Sequence, residues 1–167
     1  ANTTVVLLSD NGFNLGTHDS FHKMSQWDSA AHIPLGIWNA QMEGGQEIDL
    51  PVSLHNIPKT IMQLAGLPPR PDWTSGQSLL PLIDPSFGDF DTSKSPITSV
   101  FGTLSVRPSV EGFTQYRYFR YPNGEEHVYD IENDQLQLAN YNEVLFDIAA
   151  KLDKCNTLAP DSAFLNR

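Results

Sequence analysis

The sequence predicts an α/β fold in two parts. The first half is built on a buried strand with helices, and the second on antiparallel strands with a helix laid against them. Three observations carry this expectation. Val5-Val6-Leu7-Leu8 is an unbroken β-branched and aliphatic run, the pattern of a strand buried on both faces, as in a helix-covered parallel sheet. Ile57, Ile61 and Leu64 recur at helical spacing, which marks one apolar helix face. Pro122-Asn123-Gly124 separates two strand-like runs and reads as a hairpin turn.

The elements follow in order. Ser9-Asp10-Asn11-Gly12 ends the first strand with turn residues, and functional groups in open α/β sheets gather just beyond such carboxyl ends. Residues 13–32 hold His18, His22, Lys23 and His32 without a clean period, so a loop with short helical turns is expected. Residues 33–38 read as a second short strand and 39–50 as a loop. A helix is expected over 56–64, with Asn56 as its cap, Pro58 in the first turn and Gly66 as its end. A short apolar helix follows near 79–83. Strands are expected over 97–104, 113–121 and 126–131. The stripe Val144, Leu145, Ile148, Ala149 and Leu152 predicts a last helix, capped by Asn142. The organisation this gives is a core part over 1–84, a linker over 85–96 rich in Asp, Ser and Pro, and a small β subdomain over 97–167.

The chain has 167 residues and a formal charge of −10. That acidity argues against nucleic acid and anionic lipid as partners, and no apolar run approaches the roughly 20 residues of a membrane span. The single cysteine, Cys155, excludes an internal disulfide framework and a four-cysteine zinc site.

The chemistry concentrates in residues 9–35. Asp10 and Asn11 offer adjacent hard oxygen donors, suited to Ca²⁺ or Mg²⁺. Lys23 lies twelve positions beyond Asn11, so a folded loop would return its ammonium to the same place. A cation and a lysine facing one point would hold a tetrahedral oxyanion such as sulfate or phosphate. His18 and His22 have the chemistry to hydrogen-bond substrate or protonate a leaving group. Taken singly, Asp-Asn-Gly is also an ordinary turn and Lys23 an ordinary surface lysine.

In combination these motifs resemble the sulfatase family of the alkaline phosphatase superfamily, nearest its iduronate-sulfatase-like glycan sulfatases. The resemblance rests on Ser9-Asp10-Asn11-Gly12 after an apolar strand, Leu15-Gly16-Thr17-His18, Lys23, and His32-Ile33-Pro34-Leu35. It continues through residues 52–68, Gly76-Gln77-Ser78-Leu79-Leu80-Pro81-Leu82, and the hairpin pair 116–121 and 128–134. It implies the C-terminal part of an alkaline-phosphatase-like α/β/α core, followed by a small antiparallel sheet with a packed helix. By the same resemblance Asp10 and Asn11 are two ligands of one divalent cation, usually Ca²⁺ with Mg²⁺ as the alternative. Lys23 contacts the sulfate group, His18 lies near substrate, and His32 stands in a supporting place where many relatives have Arg.

The family's nucleophile is a formylglycine made from Cys or Ser in C/S-x-P-x-R. Cys155 is followed by Asn-Thr-Leu-Ala and does not match. The expectation is therefore a sulfatase C-terminal portion, acting on a sulfated small molecule or glycan and inactive alone. A missing N-terminal half, from the same gene or a partner chain, would supply the nucleophile and the remaining ligands. An extracytoplasmic location is implied by resemblance, and no signal peptide is present in the sequence. Two rival expectations stand beside it: a phosphodiester or phosphonate hydrolase of the same superfamily, and a non-catalytic sulfatase-like module.

Overall fold

The computed structural model describes residues 3–40, 42, 44–68, 70 and 76–141. The expected last helix, with Asn142 and the stripe from Val144 to Leu152, and Cys155 lie outside the described residues.

Strand β1 (Thr4–Leu8) forms where the β-branched run predicts it. It pairs antiparallel with β2 (Leu35–Asn39), from Thr4 opposite Asn39 to Leu8 opposite Leu35. The expected parallel ladder is thus not what these residues form with one another. An apolar run signals two faces suited to burial; it carries no information about partner direction. Within the described residues one face is open, with Val5 49 % and Leu7 69 % exposed, while Thr4 and Val6 on the other are half-buried. Between the two strands the chain forms the loop expected there, with a 3-10 turn at Thr17–Asp19 and the one-turn helix α1 (Asp28–Ala31).

Helix α2 (Ile57–Leu64) has Pro58 in its first turn, where a missing N–H costs nothing. Gly66 follows it at φ 65°, a left-handed position that favours glycine. Asn56 serves the preceding turn rather than α2. Its Oδ1 accepts from Ser53 N–H at 2.7 Å, and its Nδ2 donates to Gln77 O at 2.8 Å. The buried face also differs from the expected one. Ile57, Thr60 and Met62 are buried while Ile61 is 48 % exposed, because Thr60 Oγ1 receives the Leu79 N–H at 2.9 Å and draws the 76–80 segment to that side. The short helix α3 (Leu80–Ile83) follows.

The second half is a four-stranded antiparallel sheet in the order β3-β4-β5-β6. The single strand expected over 97–104 is a hairpin instead, β3 (Ile97–Val100) and β4 (Thr103–Val106). Phe101 and Gly102 turn it with φ of 49° and 80°, the two positive values a tight hairpin requires. Strands β5 (Tyr116–Arg120) and β6 (Glu126–Asp130) close around Pro122-Asn123-Gly124 as expected. Their register gives the sheet two unlike faces. Val106, Tyr118 and Val128 form a buried cluster flanked by Phe113 and Tyr116. On the other face Ser105 lies opposite Phe119, Arg117 opposite Tyr129, and Phe119 opposite His127. That second face meets the 18–28 loop.

Candidate active-site wall

Residues 9–32 fold back on themselves through main-chain bonds. Gly12 N–H donates to Ala30 O at 2.8 Å, Phe13 N–H to Ser29 O at 3.0 Å, and Asn14 N–H to His22 O at 3.0 Å. The last bond returns the chain beside the strand end, which is the closure that the twelve-residue spacing of Asn11 and Lys23 needs. Asn14 is fully buried at the centre of this loop. Its Nδ2 donates to Ser20 Oγ at 3.1 Å and its Oδ1 accepts from Ser29 Oγ. An Asn in an interior position is tolerable only because both ends of its amide are satisfied.

Asp10, Asn11 and Lys23 line one broad cavity of about 1180 Å³. Asp10 and Lys23 are exposed and Asn11 is half-buried. Among the described residues, no side-chain hydrogen bond or ion pair occupies the Asp10 carboxylate, the Asn11 amide or the Lys23 ammonium. The strand end therefore presents a carboxylate and an amide oxygen, hard donors of the kind Ca²⁺ and Mg²⁺ take. No cluster of three or more His, Cys, Asp or Glu placed to hold a metal is present among the described residues. Asp10 and Asn11 thus fit a partial ligand set, short of the six to eight oxygens typical of Ca²⁺.

The histidines are placed differently. The His18 ring stacks on Trp27, with centroids 3.7 Å apart and planes 10° from parallel. Its Nε2 is buried without a hydrogen-bond partner among the described residues, and its backbone sits at φ 53°. His18 is not among the residues lining the cavity. His22 is exposed and enters the loop through its carbonyl. His32 lines the cavity and places Nδ1 3.3 Å from Asp28 Oδ2.

Sequence reasoning missed a charged cluster at the cavity's edge. Arg117 Nη1 donates to Asp28 Oδ1 at 2.6 Å, and its Nη2 donates to Ser105 Oγ at 3.1 Å. Arg107 Nη1 stands 3.6 Å from the same Asp28 oxygen, while its Nε donates to Thr114 O at 2.7 Å. Burial holds both guanidinium pKa values below the ordinary arginine value, and the Asp28 charge offsets only part of that. The signal was available in the two-residue period of β5, which places Arg117 on the same side as Phe119. A charged residue at an inward position calls for a carboxylate partner.

The chain is similar to known proteins in sequence and in fold. Residues 1–67 match the family model described as Sulfatase. A sulfatase of Formosa agariphila is 30 % identical over 159 residues, covering 95 % of this chain and 30 % of that protein. Arylsulfatase K of Danio rerio is 31 % identical over 160 residues, covering 92 % of this chain and 30 % of the relative. Among solved structures, a 2-O GAG sulfatase superposes with a TM-score of 0.76 at 21 % identity, covering 99 % of this chain and 38 % of that one. The phosphonate monoester hydrolase of Agrobacterium radiobacter gives a TM-score of 0.70 at 20 % identity, with 93 % and 34 % covered. The fold is that of the matching part of these solved structures. The sulfatase family match lies in residues 1–67, and the chain, similar to sulfatases over nine-tenths of its own length, spans about 30 % of the length of the curated relatives it matches.

Proposed function

We propose that this chain forms the metal- and sulfate-binding wall of a sulfatase that hydrolyses sulfate esters of a small molecule or glycan. The observation that carries the reading is the return of Lys23 to the cavity that Asp10 and Asn11 line at the end of β1. The sulfatase relatives supply the reaction class, sulfuric ester hydrolysis.

In this reading Asp10 and Asn11 give two oxygen ligands to one divalent cation, Ca²⁺ in preference to Mg²⁺. The cation, when bound, supplies Lewis-acid charge stabilisation at the sulfate oxygens. The Lys23 ammonium takes a further sulfate oxygen, orients the group and offsets charge that grows on it as the ester bond breaks. The donors fit that task because none is committed to another partner among the described residues. The attacking group lies elsewhere. The chain's one cysteine lacks the flanking Pro and Arg of the family's nucleophile motif, so these residues bind and orient rather than attack. The 167-residue chain alone is accordingly inactive, and a complementary segment completes the ligand set. By analogy with its relatives the protein acts outside the cytoplasm. Among the described residues no helix is long and apolar enough to cross a membrane.

The second reading, a phosphonate or phosphate ester hydrolase, draws on the phosphonate monoester hydrolase neighbour. Its substrate presents the same tetrahedral oxyanion to a cation and a lysine.

Assaying the chain alone, and then with its complementary segment, on 4-nitrophenyl sulfate and phenyl phosphonate monoesters tests both readings. We expect no turnover by the chain alone. The completed protein should favour the sulfate, lose activity in EDTA and regain it with Ca²⁺. Turnover by the chain alone, or a preference for the phosphonate, contradicts the proposal.

A further inference from the structure

The segment that follows Lys23 is tied to the second sheet in a way the sulfate chemistry does not use. Ser105 Oγ donates to Gln26 O at 3.3 Å. Asp28 N–H donates to Gln137 Oε1 at 2.8 Å. The Trp27 ring packs 4.8 Å from Phe119 and 5.4 Å from Tyr129. The Asp28 carboxylate receives Arg117 at 2.6 Å and faces Arg107 at 3.6 Å and His32 at 3.3 Å.

Both terminal nitrogens of Arg117 are engaged, while its Nε is buried without a hydrogen-bond partner among the described residues. Its side chain is 5 % exposed, one terminal nitrogen is on Asp28, and the other is on Ser105. Lys23 is the opposite case. Its ammonium has no partner among the described residues, so its position depends on its backbone, anchored through Asn14 N–H to His22 O and Ser25 N–H to Lys23 O. Downstream, the ion pair and the Trp27 contacts fix the same segment against the sheet.

We propose that Asp28 and Arg117 are a positioning pair, which fixes the 22–28 segment on the second sheet and so aims Lys23 into the cavity. The inference rests on the reading of Lys23 as the sulfate contact. Its physical basis is that a buried ion pair adds little net stability over an apolar replacement, whereas a long lysine stem transmits any loss of backbone definition to its charged end. Displacements near 1 Å at a charge-stabilising group cost about 100-fold in rate. Neither residue is catalytic, since both act through Lys23.

The test is a double-mutant cycle in the catalytically competent sulfatase assembled on this segment, with hydrogen exchange on the 167-residue chain. Lys23→Ala is expected to lower kcat by about 100-fold. Asp28→Asn is expected to lower it by about 10-fold with KM held within about 2-fold. The double variant should be no slower than Lys23→Ala, because the positioning pair then has nothing to position. Effects that multiply overturn the proposal. An unchanged rate in Lys23→Ala would refute the sulfate-contact reading instead. Exchange then decides the positioning claim by itself: in Asp28→Asn, amides 22–27 should exchange about 10-fold faster while 57–64 stay unchanged. Unchanged exchange at 22–27 overturns it. Should Asp28→Asn fail to fold, Ser105→Ala removes the Gln26 and Arg117 contacts of the same tie. It is expected to show the same pattern at about 3-fold, and an absent effect there counts equally against the proposal.

Discussion

Gly12→Ala should loosen the functional loop, and the expected size follows from the backbone around it. Gly12 lies where the strand end crosses α1. A Cβ built there would sit 2.2 Å from Ser29 O and 3.3 Å from Ala30 Cα, both main-chain atoms with no side chain to swing aside. Carbon–oxygen contacts rest at about 3.3 Å or more, so the two segments would have to part by about 1 Å. The Gly12–Ala30 and Phe13–Ser29 bonds, now 2.8 and 3.0 Å, would be stretched out of range. Each such bond contributes about 1 kcal/mol, and overpacking of this kind costs about 1–3 kcal/mol. A total near 3 kcal/mol corresponds to a fall in Tm of about 6–12 °C for a domain of this size. Thermal unfolding followed by circular dichroism reads the shift, and hydrogen exchange should place the loosening at residues 9–14 and 29–31. A Tm within about 2 °C of the parent, with protection of those amides retained, would refute the close-approach argument.

Two further perturbations probe the frame around the site. Arg117→Met leaves the Asp28 carboxylate with Arg107 at 3.6 Å and His32 at 3.3 Å; urea unfolding should show a loss of about 3 kcal/mol, the lower end for a broken buried pair, and a loss under about 1 kcal/mol would count against the pair's burial. The Tyr129 phenol is pushed up to about 12 from an ordinary 10, chiefly by burial, with the Tyr121 charge adding to it. Below pH 10 folded and unfolded chains both hold that proton and stability is full. Between pH 10 and about 12 the unfolded chain releases it first, and stability falls by on the order of 2 kcal/mol. Tyr129→Phe should flatten that part of the stability curve, and an identical slope in both proteins would show that another group sets it.

The parts of this fold that sequence reveals are those encoded locally. Pro58 and Gly66 bracket α2, and Pro122-Asn123-Gly124 makes the β5–β6 turn, because each imposes its own backbone conformation. The partner direction of β1 was hidden for the same reason, since Val5 to Leu8 encode faces and not neighbours. The β3–β4 hairpin was hidden because Phe101 adopts a positive φ that its side chain does not announce. At the candidate site, spacing and resemblance single out Asp10, Asn11 and Lys23, and the three line the same cavity. The Asp28–Arg117 pair was not, because 89 positions separate its members and only the sheet register brings them together. His18 shows the limit of reading a residue by type. The structure stacks it on Trp27, a contact set by the aromatic face of a sheet about a hundred residues further along the chain.

In the proposed function Lys23 works with the oxygen donors of Asp10 and Asn11 on a sulfate group. The most direct test is sulfate-ester turnover by the completed protein with Lys23→Ala, against Lys59→Ala, a change on α2 away from the cavity. The expected result is a loss of about 100-fold in kcat for the first and none for the second. Equal turnover in the two variants would contradict it.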